Sequence, residues 1–485
     1  MNHTEKILLQ LTARALFDSP TDFEPASTDW AALYREASSQ SLTILLWDAL
    51  TEEERRFLPK KVAWYWEQDM LTHLLNNEQL LREQQQVIQL LTEAKIPCVI
   101  LKGSSAAIYY PNPALRTMGD IDILVKPEQQ MEVVHLLQGQ GYGDAVGGEH
   151  HCHVALHKED YAVEVHREVN GLFLGKKSKC VQRIRRYLED ALERRQYIDS
   201  LPGQTDSGSA LSDGRPNSQT DRFDDRQNRL ESRLDGLSVL SEDQPDNRSI
   251  SLGDRPDDLS VTPEDQPDNR PILFDSSPDS LPVLADDQQA VVLLLHKLEH
   301  FLTSGLGLRQ VCDWAVFVKE KLNAQRPDGK RLWKNLEPLL KDFGLLTFAG
   351  VMTRVCIDYL VLPREAAPWA MAYDGQIAEK VIEQVLREGN FGKKVDRYGE
   401  RLFADPYSSN RVISFIRVLN DACREHWPIC DRHQILMPVA PFVLLGRYCV
   451  QRKKGERPRL RLIQKYRQGG RDQKLYKELK PFIAE

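Results

Sequence analysis

No CxxC pair occurs among the eight cysteines, and several of them sit inside apolar runs. That pattern excludes a zinc-ribbon or a disulfide scaffold and reads as buried thiols in a reducing compartment. No long apolar run is present either. The longest candidate, Met437 to Val450, is broken by Pro438, Pro441 and Arg447. It is too short to span a bilayer. The first residues, MNHTEKILLQLTARALF, lack a basic segment, a long apolar stretch and a small-residue cleavage site. A cytoplasmic protein without membrane insertion is the expectation. Excess positive charge is also missing. With 64 Lys and Arg against 71 Asp and Glu, the net charge is −7, which argues against a globally basic nucleic-acid-binding surface. At 485 residues the chain has room for two or three domains.

Four regions differ in kind. Residues 1–94 carry apolar side chains at helical spacing, for example in WAALYREASSQSLTILLWDAL and NEQLLREQQQVIQLLTEA. Asn77 is placed to cap the second of these, and Pro97 closes it. Residues 95–198 switch to short apolar strands alternating with helices. CVIL and DIDILV read as strands. PEQQMEVVHLLQGQG reads as a helix, and HHCHVALH with YAVEVHREV as a strand pair around KED. Residues 199–285 are rich in Asp, Ser, Pro, Gln, Asn, Gly and Arg. EDQPDNR occurs at Glu242–Arg248 and again at Glu264–Arg270, a period of 22. Such a composition cannot bury enough apolar area to offset chain entropy, so this stretch is expected to be a disordered linker. Residues 286–485 return to helical patterns, beginning with DQQAVVLLLHKLEHFL, and carry a basic stretch from Arg447 onward. Such charge runs are most often a solvated helix face, although RNA, an anionic membrane surface or an acidic protein would also fit.

The most informative stretch is IPCVILKGSSAAIYYPNPALRTMGDIDILV, Ile96 to Val125. A strand at Cys98–Leu101 runs into a turn at Lys102, Gly103 and Ser104. A second strand follows, interrupted by Asp120 and Asp122. Acids at i and i+2 on a strand project from one face. Two adjacent carboxylates repel, and they persist where something positive lies between them, most often a divalent metal. The flanking Ile121, Ile123, Leu124 and Val125 argue that the strand is central. A glycine turn entering a helix offers backbone N–H groups to a phosphate; the plainer reading is a strand-to-helix turn with Ser104 as cap. Metal-binding acids beside a phosphate cradle are the parts of a phosphoryl- or nucleotidyl-transfer site.

This arrangement resembles the nucleotidyltransferase superfamily of the DNA polymerase β type. More closely, LKG, then YP, then Arg116, then GDIDILV is similar to the family described as uncharacterised nucleotidyltransferase, and the likeness is read over most of the chain outside the repeats. The resemblance implies an α+β fold. A small mixed-sheet nucleotidyltransferase core would be flanked by N- and C-terminal helical domains, with a long disordered insertion. It implies a third acid in an apolar-acid-apolar triplet, which Glu164 supplies between Val163 and Val165. Glu168 is the rival. By resemblance Asp120, Asp122 and Glu164 would bind Mg²⁺ or Mn²⁺ and carry catalysis. Gly103 and Ser104 would hold the β- and γ-phosphates, and Lys102 and Arg116 would neutralise phosphate charge. The expected reaction moves an NMP from an NTP to an acceptor with release of pyrophosphate. A small molecule, sugar or protein acceptor fits the acidic balance better than nucleic acid. The alternative is a non-catalytic nucleotide-binding or antitoxin-like regulatory module.

Two further clusters stand out. His150, His151, Cys152, His153 and His157 have the ligand types of a zinc site, but a closed structural site needs four ligands. The other reading is that His151 and His153 line the cleft beside Glu164 and contact substrate. In HKLEHFLTSGLGLRQVCDWAVF, His296 and His300 share a helix face, without the HExxH order of a metalloprotease. Arg309 and Asp313 share another and are placed to pair. The resembled family carries a similar His and GxGLRxxxD arrangement. A role for Arg309 and Asp313 in binding nucleotide or acceptor stands beside a purely structural one.

Overall fold

A computed structural model describes residues 1–143, 152–158, 161–172, 178–198, 281–393 and 462–483, with scattered positions between 420 and 446. The repeats, His150, His151 and the basic stretch 447–461 lie outside the described residues. The parts on either side of the segment 199–280 form one compact unit.

The fold is α+β: a six-stranded mixed sheet set among many helices. Five helices come first: α1 His3–Phe17, α2 Trp30–Ser39, α3 Thr43–Ala49, α4 Glu52–Arg55 and α5 Lys60–Glu93. Asn2 and Glu5 close a capping box on α1, satisfying two N–H groups the helix leaves open. The long α5 buries Trp66, Met70, Asn77, Leu80, Gln84, Val87 and Leu91, a stripe at three- and four-residue spacing. Asn77 therefore lies inside a continuous helix instead of capping one. Its amide is spent on a distant loop: Nδ2 donates to Ala114 O and Arg116 O, and Oδ1 accepts from Met118 N, each at 2.9 Å. Local propensity favours a cap at Asn, but three loop hydrogen bonds outweigh it.

Strands β1 Val99–Ile100, β2 Ile121–Leu124, β3 His153–Lys158, β4 Tyr161–His166, β5 Gln196–Ile198 and β6 Leu281–Val283 form a sheet in the order β3-β4-β2-β1-β6-β5. β2 is central, flanked by β1 antiparallel and β4 parallel. β6 comes from the end of the segment read as linker and pairs parallel with β1. A three-residue strand containing Pro282 carries too little periodicity to stand out beside the repeats. Helices α6 Ser104–Ala107, α7 Gln130–Gly139 and α8 Lys179–Leu188 complete the first half.

Alternation along β2 and β4 sorts the side chains. Ile121, Ile123, Val125, Val163 and Val165 face a core shared with Leu80, Val87 and Leu91 of α5 and Val133, Val134 and Leu137 of α7. Asp122, Glu164 and His166 take the opposite face.

After β6 come α9 Asp286–Leu302, α10 Leu308–Lys321, α11 Pro327–Phe343, α12 Leu346–Leu360, α13 Gly375–Glu388 and α14 Leu462–Glu478. The apolar faces of α9 and α10 are almost wholly buried. Among the described residues no helix is long and apolar enough to cross a membrane.

One core residue is costly. Lys297 of α9 is 0% exposed, its Nζ donates to Leu293 O at 3.3 Å, and it lies 5.9 Å from the Trp314 ring centre. Burial lowers its pKa to about 8, against the opposing pull of Asp313. The folded chain gives up a proton near pH 8 that the unfolded chain holds to 10.5. Stability is therefore lost as pH falls from 10.5 through 8. Lys297→Met should flatten that dependence and raise stability at pH 7 by up to about 3 kcal/mol. Urea unfolding of both proteins at pH 7 and pH 10 measures this; an equal pH slope in the two would contradict it.

Candidate functional site

The sheet face opposite the core carries a compact cluster of opposite charges. β2 and β4 run in register, so Asp122 lies directly beside Glu164. Asp120 precedes β2 and is half-buried, while the Asp122 side chain is fully sealed. Lys102, at the end of β1, reaches across the pair. Its Nζ lies 3.0 Å from Asp122 Oδ1 and 3.6 Å from Asp120 Oδ2. His166, two residues after Glu164, donates from Nε2 toward Asp122 Oδ1 at 2.9 Å and Glu164 Oε2 at 3.1 Å. His153 Nε2 stands 3.9 Å from Glu164 Oε1.

These contacts set the protonation states. Burial pushes the Glu164 carboxyl up, but the His166 hydrogen bond and the Lys102 charge outweigh it and hold it at about 2. Burial disfavours charge on Lys102, yet Asp122, Asp120 and Glu164 together raise its pKa. His166 behaves likewise: Asp122, the neighbouring Cys152 and Glu164 together overcome burial and hold it well above its ordinary value. The acid cluster thus faces an ammonium and an imidazolium. One atom is left over. Asp122 Oδ2 is buried and has no hydrogen-bond partner among the described residues. An orphaned carboxylate oxygen is expensive to bury, and a cation would relieve it. Asp122, Glu164 and His166 each offer a ligand atom, all within 4.8 Å of one another.

The turn before the site is shaped by Gly103. Its φ of 68° and ψ of −112° suit only glycine, and the Asp120 carbonyl oxygen stands 3.6 Å from where a Cβ would be. Ser104 begins α6, where first-turn N–H groups have no intrahelical acceptor. The Ser104 hydroxyl itself donates to Gln84 Oε1 at 2.7 Å and is buried.

Arg116 is 5% exposed and spends its guanidinium on Asp313 of α10: Nε to Oδ1 and Nη2 to Oδ2, both 2.8 Å. Tyr110 adds a hydrogen bond to Asp313 Oδ1 at 2.7 Å. The Arg309–Asp313 pairing expected from helical spacing gives way to this arrangement, because the Arg116 fork takes both carboxylate oxygens. Arg309 donates instead to Thr117 O. Arg116, Arg309 and Asn77 thus all grip the loop 113–119 that delivers Asp120. Arg116, for which the sequence pattern suggested phosphate contact, is thus buried with its guanidinium committed to Asp313. The rival acid Glu168 is taken up by Arg185, with Nη2 to Oε2 at 3.2 Å.

Side chains of α9 lie near the cluster. Glu299 feels Cys152, Lys102, His166 and His153. Burial, reinforced by Cys152, raises its carboxyl to about 7. Burial with the nearby His300 and Lys102 keeps His296 neutral, and burial with Lys102 and Arg309 lowers His300 to about 3. The sequence reading missed His166 and Glu299. The signals were present: His166 shares Glu164's strand face two residues on, and Glu299 lies three residues beyond His296 on α9.

Residues 26–196 match the model of the family described as uncharacterised nucleotidyltransferase. The match is narrower than the likeness read from the sequence, and it includes Lys102, Asp120, Asp122, Glu164 and His166. It supports nucleotidyl transfer as the general role. No curated protein and no solved structure matches the chain.

Proposed function

We propose that the protein is a divalent-metal-dependent nucleotidyltransferase that moves an NMP from an NTP to an acceptor, releasing pyrophosphate. Asp120, Asp122 and Glu164 would hold Mg²⁺ or Mn²⁺. Such ions neutralise triphosphate charge and lower the pKa of an acceptor hydroxyl. The observation that carries the reading is the bare Asp122 Oδ2, sealed in register beside Glu164. Buried carboxylates with a spare oxygen fit a hard cation.

The chain's own residues have separate tasks. Lys102 keeps a fixed positive charge at the mouth of the acid pair, suited to an incoming phosphate. Gly103 lets the turn pass close to the Asp120 backbone. His166 orients the Asp122 and Glu164 carboxylates through Nε2. Glu299 Oε2 and His296 Nδ1, on the neighbouring α9, are buried and without partners among the described residues.

The rival reading, a nucleotide-binding module without catalysis, draws support from the same cations, since Lys102 and His166 already balance much of the acid charge. Isothermal titration separates the two. Mg²⁺ should strengthen NTP binding in the wild type, and Asp120→Asn with Asp122→Asn should remove that gain. Unchanged Mg²⁺-dependent binding in the double variant would sink the metal assignment.

A further inference from the structure

We propose that Cys152, His153 and His166 form a second metal site, for zinc, beside the acid cluster. The antiparallel register places His153 directly opposite His166, with ring centres 4.9 Å apart. Cys152 lies just before β3, tied across to β4 by the bond from Arg167 N to its carbonyl at 3.0 Å. One ligand atom from each of the three residues lies within 4.8 Å of the others.

Two details of geometry point to zinc. Cys152 Sγ and His153 Nδ1 are 3.5 Å apart. Bonds of about 2.3 Å to sulfur and 2.0 Å to nitrogen at a tetrahedral angle give about that separation. The second detail is His166. Its Nε2 is committed to Asp122 and Glu164, while Nδ1 is buried and lacks a hydrogen-bond partner among the described residues. A histidine that donates one ring N–H to a carboxylate and keeps the other nitrogen for metal is the usual support of a zinc ligand. The His166 side chain is fully buried. Zinc would replace the thiol proton and the Nδ1 proton. Asn170, whose Oδ1 accepts from the Cys152 thiol at 3.2 Å, would turn its amide to donate to the thiolate. Among the described residues no fourth ligand joins these three, an arrangement found in zinc sites that bind water or a substrate.

The two sites differ in softness. Thiolate and imidazole select zinc, whereas the all-oxygen acids suit Mg²⁺ or Mn²⁺. His166 is shared: zinc at Nδ1 would fix the ring that aims Nε2 at Asp122 and Glu164. The proposal does not depend on nucleotidyl transfer.

Cobalt titration of the full-length, chelator-stripped protein is the test. Co²⁺ should give a thiolate-to-cobalt charge-transfer band and tetrahedral visible bands that saturate at one equivalent of the thiolate site, and both should be lost on addition of Zn²⁺. Cys152→Ser should abolish the charge-transfer band. His153→Ala should weaken the tetrahedral bands, with circular dichroism confirming that each variant is folded. Asp120→Asn should leave the spectrum intact. Asp122→Asn should keep the band but weaken affinity about 10- to 100-fold, as loss of a carboxylate behind a ligating histidine does. A wild-type titration without the charge-transfer band overturns the proposal. So does a band that survives Cys152→Ser, or one that vanishes with Asp120→Asn, since either would place the metal elsewhere.

Discussion

Glu164→Gln should cut nucleotide transfer on the order of 10²-fold or more while NTP binding changes little. The geometry divides the labour among the acids. Asp120 and Asp122 sit at one end of the cluster with Lys102 between them. Glu164 lies beside Asp122 on the neighbouring strand, held ionised at about 2 by His166 and Lys102 against its burial. A neutral amide there removes the third negative charge available to an acceptor-activating metal. The acid pair that would serve the triphosphate stays intact. Glu168→Gln is the matched control. Glu168 is spent on a partly exposed pair with Arg185, and such pairs contribute less than about 1 kcal/mol. Single-turnover transfer of labelled nucleotide, read on the protein itself until an acceptor is identified, distinguishes the two. Loss of transfer in Glu168→Gln with activity retained in Glu164→Gln would assign the third acid to the wrong position.

Much of this site was legible because strand alternation is strict. Asp122 and Glu164 stand out as acids inside apolar strands, and period two puts both on the face away from the core, with Asp120 just before β2. The central place of β2 followed from its apolar neighbours for the same reason. What the sequence concealed is set by long-range pairing. Arg116 and Asp313 are 197 residues apart, and nothing local says that one guanidinium will be buried against α10 instead of facing a phosphate. Asn77 looks like a cap because Asn favours caps, yet tertiary hydrogen bonds to the loop 113–119 decide its place. β6 was hidden for the opposite reason. Three residues beside a repeat have no periodicity to read, and only their distant partners in the chain, β1 on one side and β5 on the other, make them a strand.

The same buried pair yields the largest expected change in stability. Arg116 and Asp313 are 5% and 3% exposed and joined by two bonds of 2.8 Å. Removing one partner of such a pair strands the other charge in a low dielectric, which costs about 3–5 kcal/mol. Asp313→Ala should fall in that range, because it leaves the Arg116 guanidinium uncompensated and removes the acceptor of Tyr110. Replacing both residues together, Arg116→Met with Asp313→Leu, should recover much of the loss, since two apolar side chains require no compensation. Urea unfolding of the single and double variants provides the comparison, and a double variant no more stable than Asp313→Ala would argue against the pair as the cause. The pH dependence has a definite sign. Burial raises the Asp313 carboxyl, but Arg116 overrides it and holds it at about 2, below the ordinary 3.8. Its contribution is therefore fully present above pH 3.8 and disappears as pH falls through about 2. Nucleotide binding in the double variant carries a separate message. The loop 113–119 keeps its Asn77 and Arg309 anchors but loses the Arg116 one, so recovered stability with weakened Mg²⁺-dependent NTP binding would show that the pair places Asp120 as well as holding α10 to the sheet.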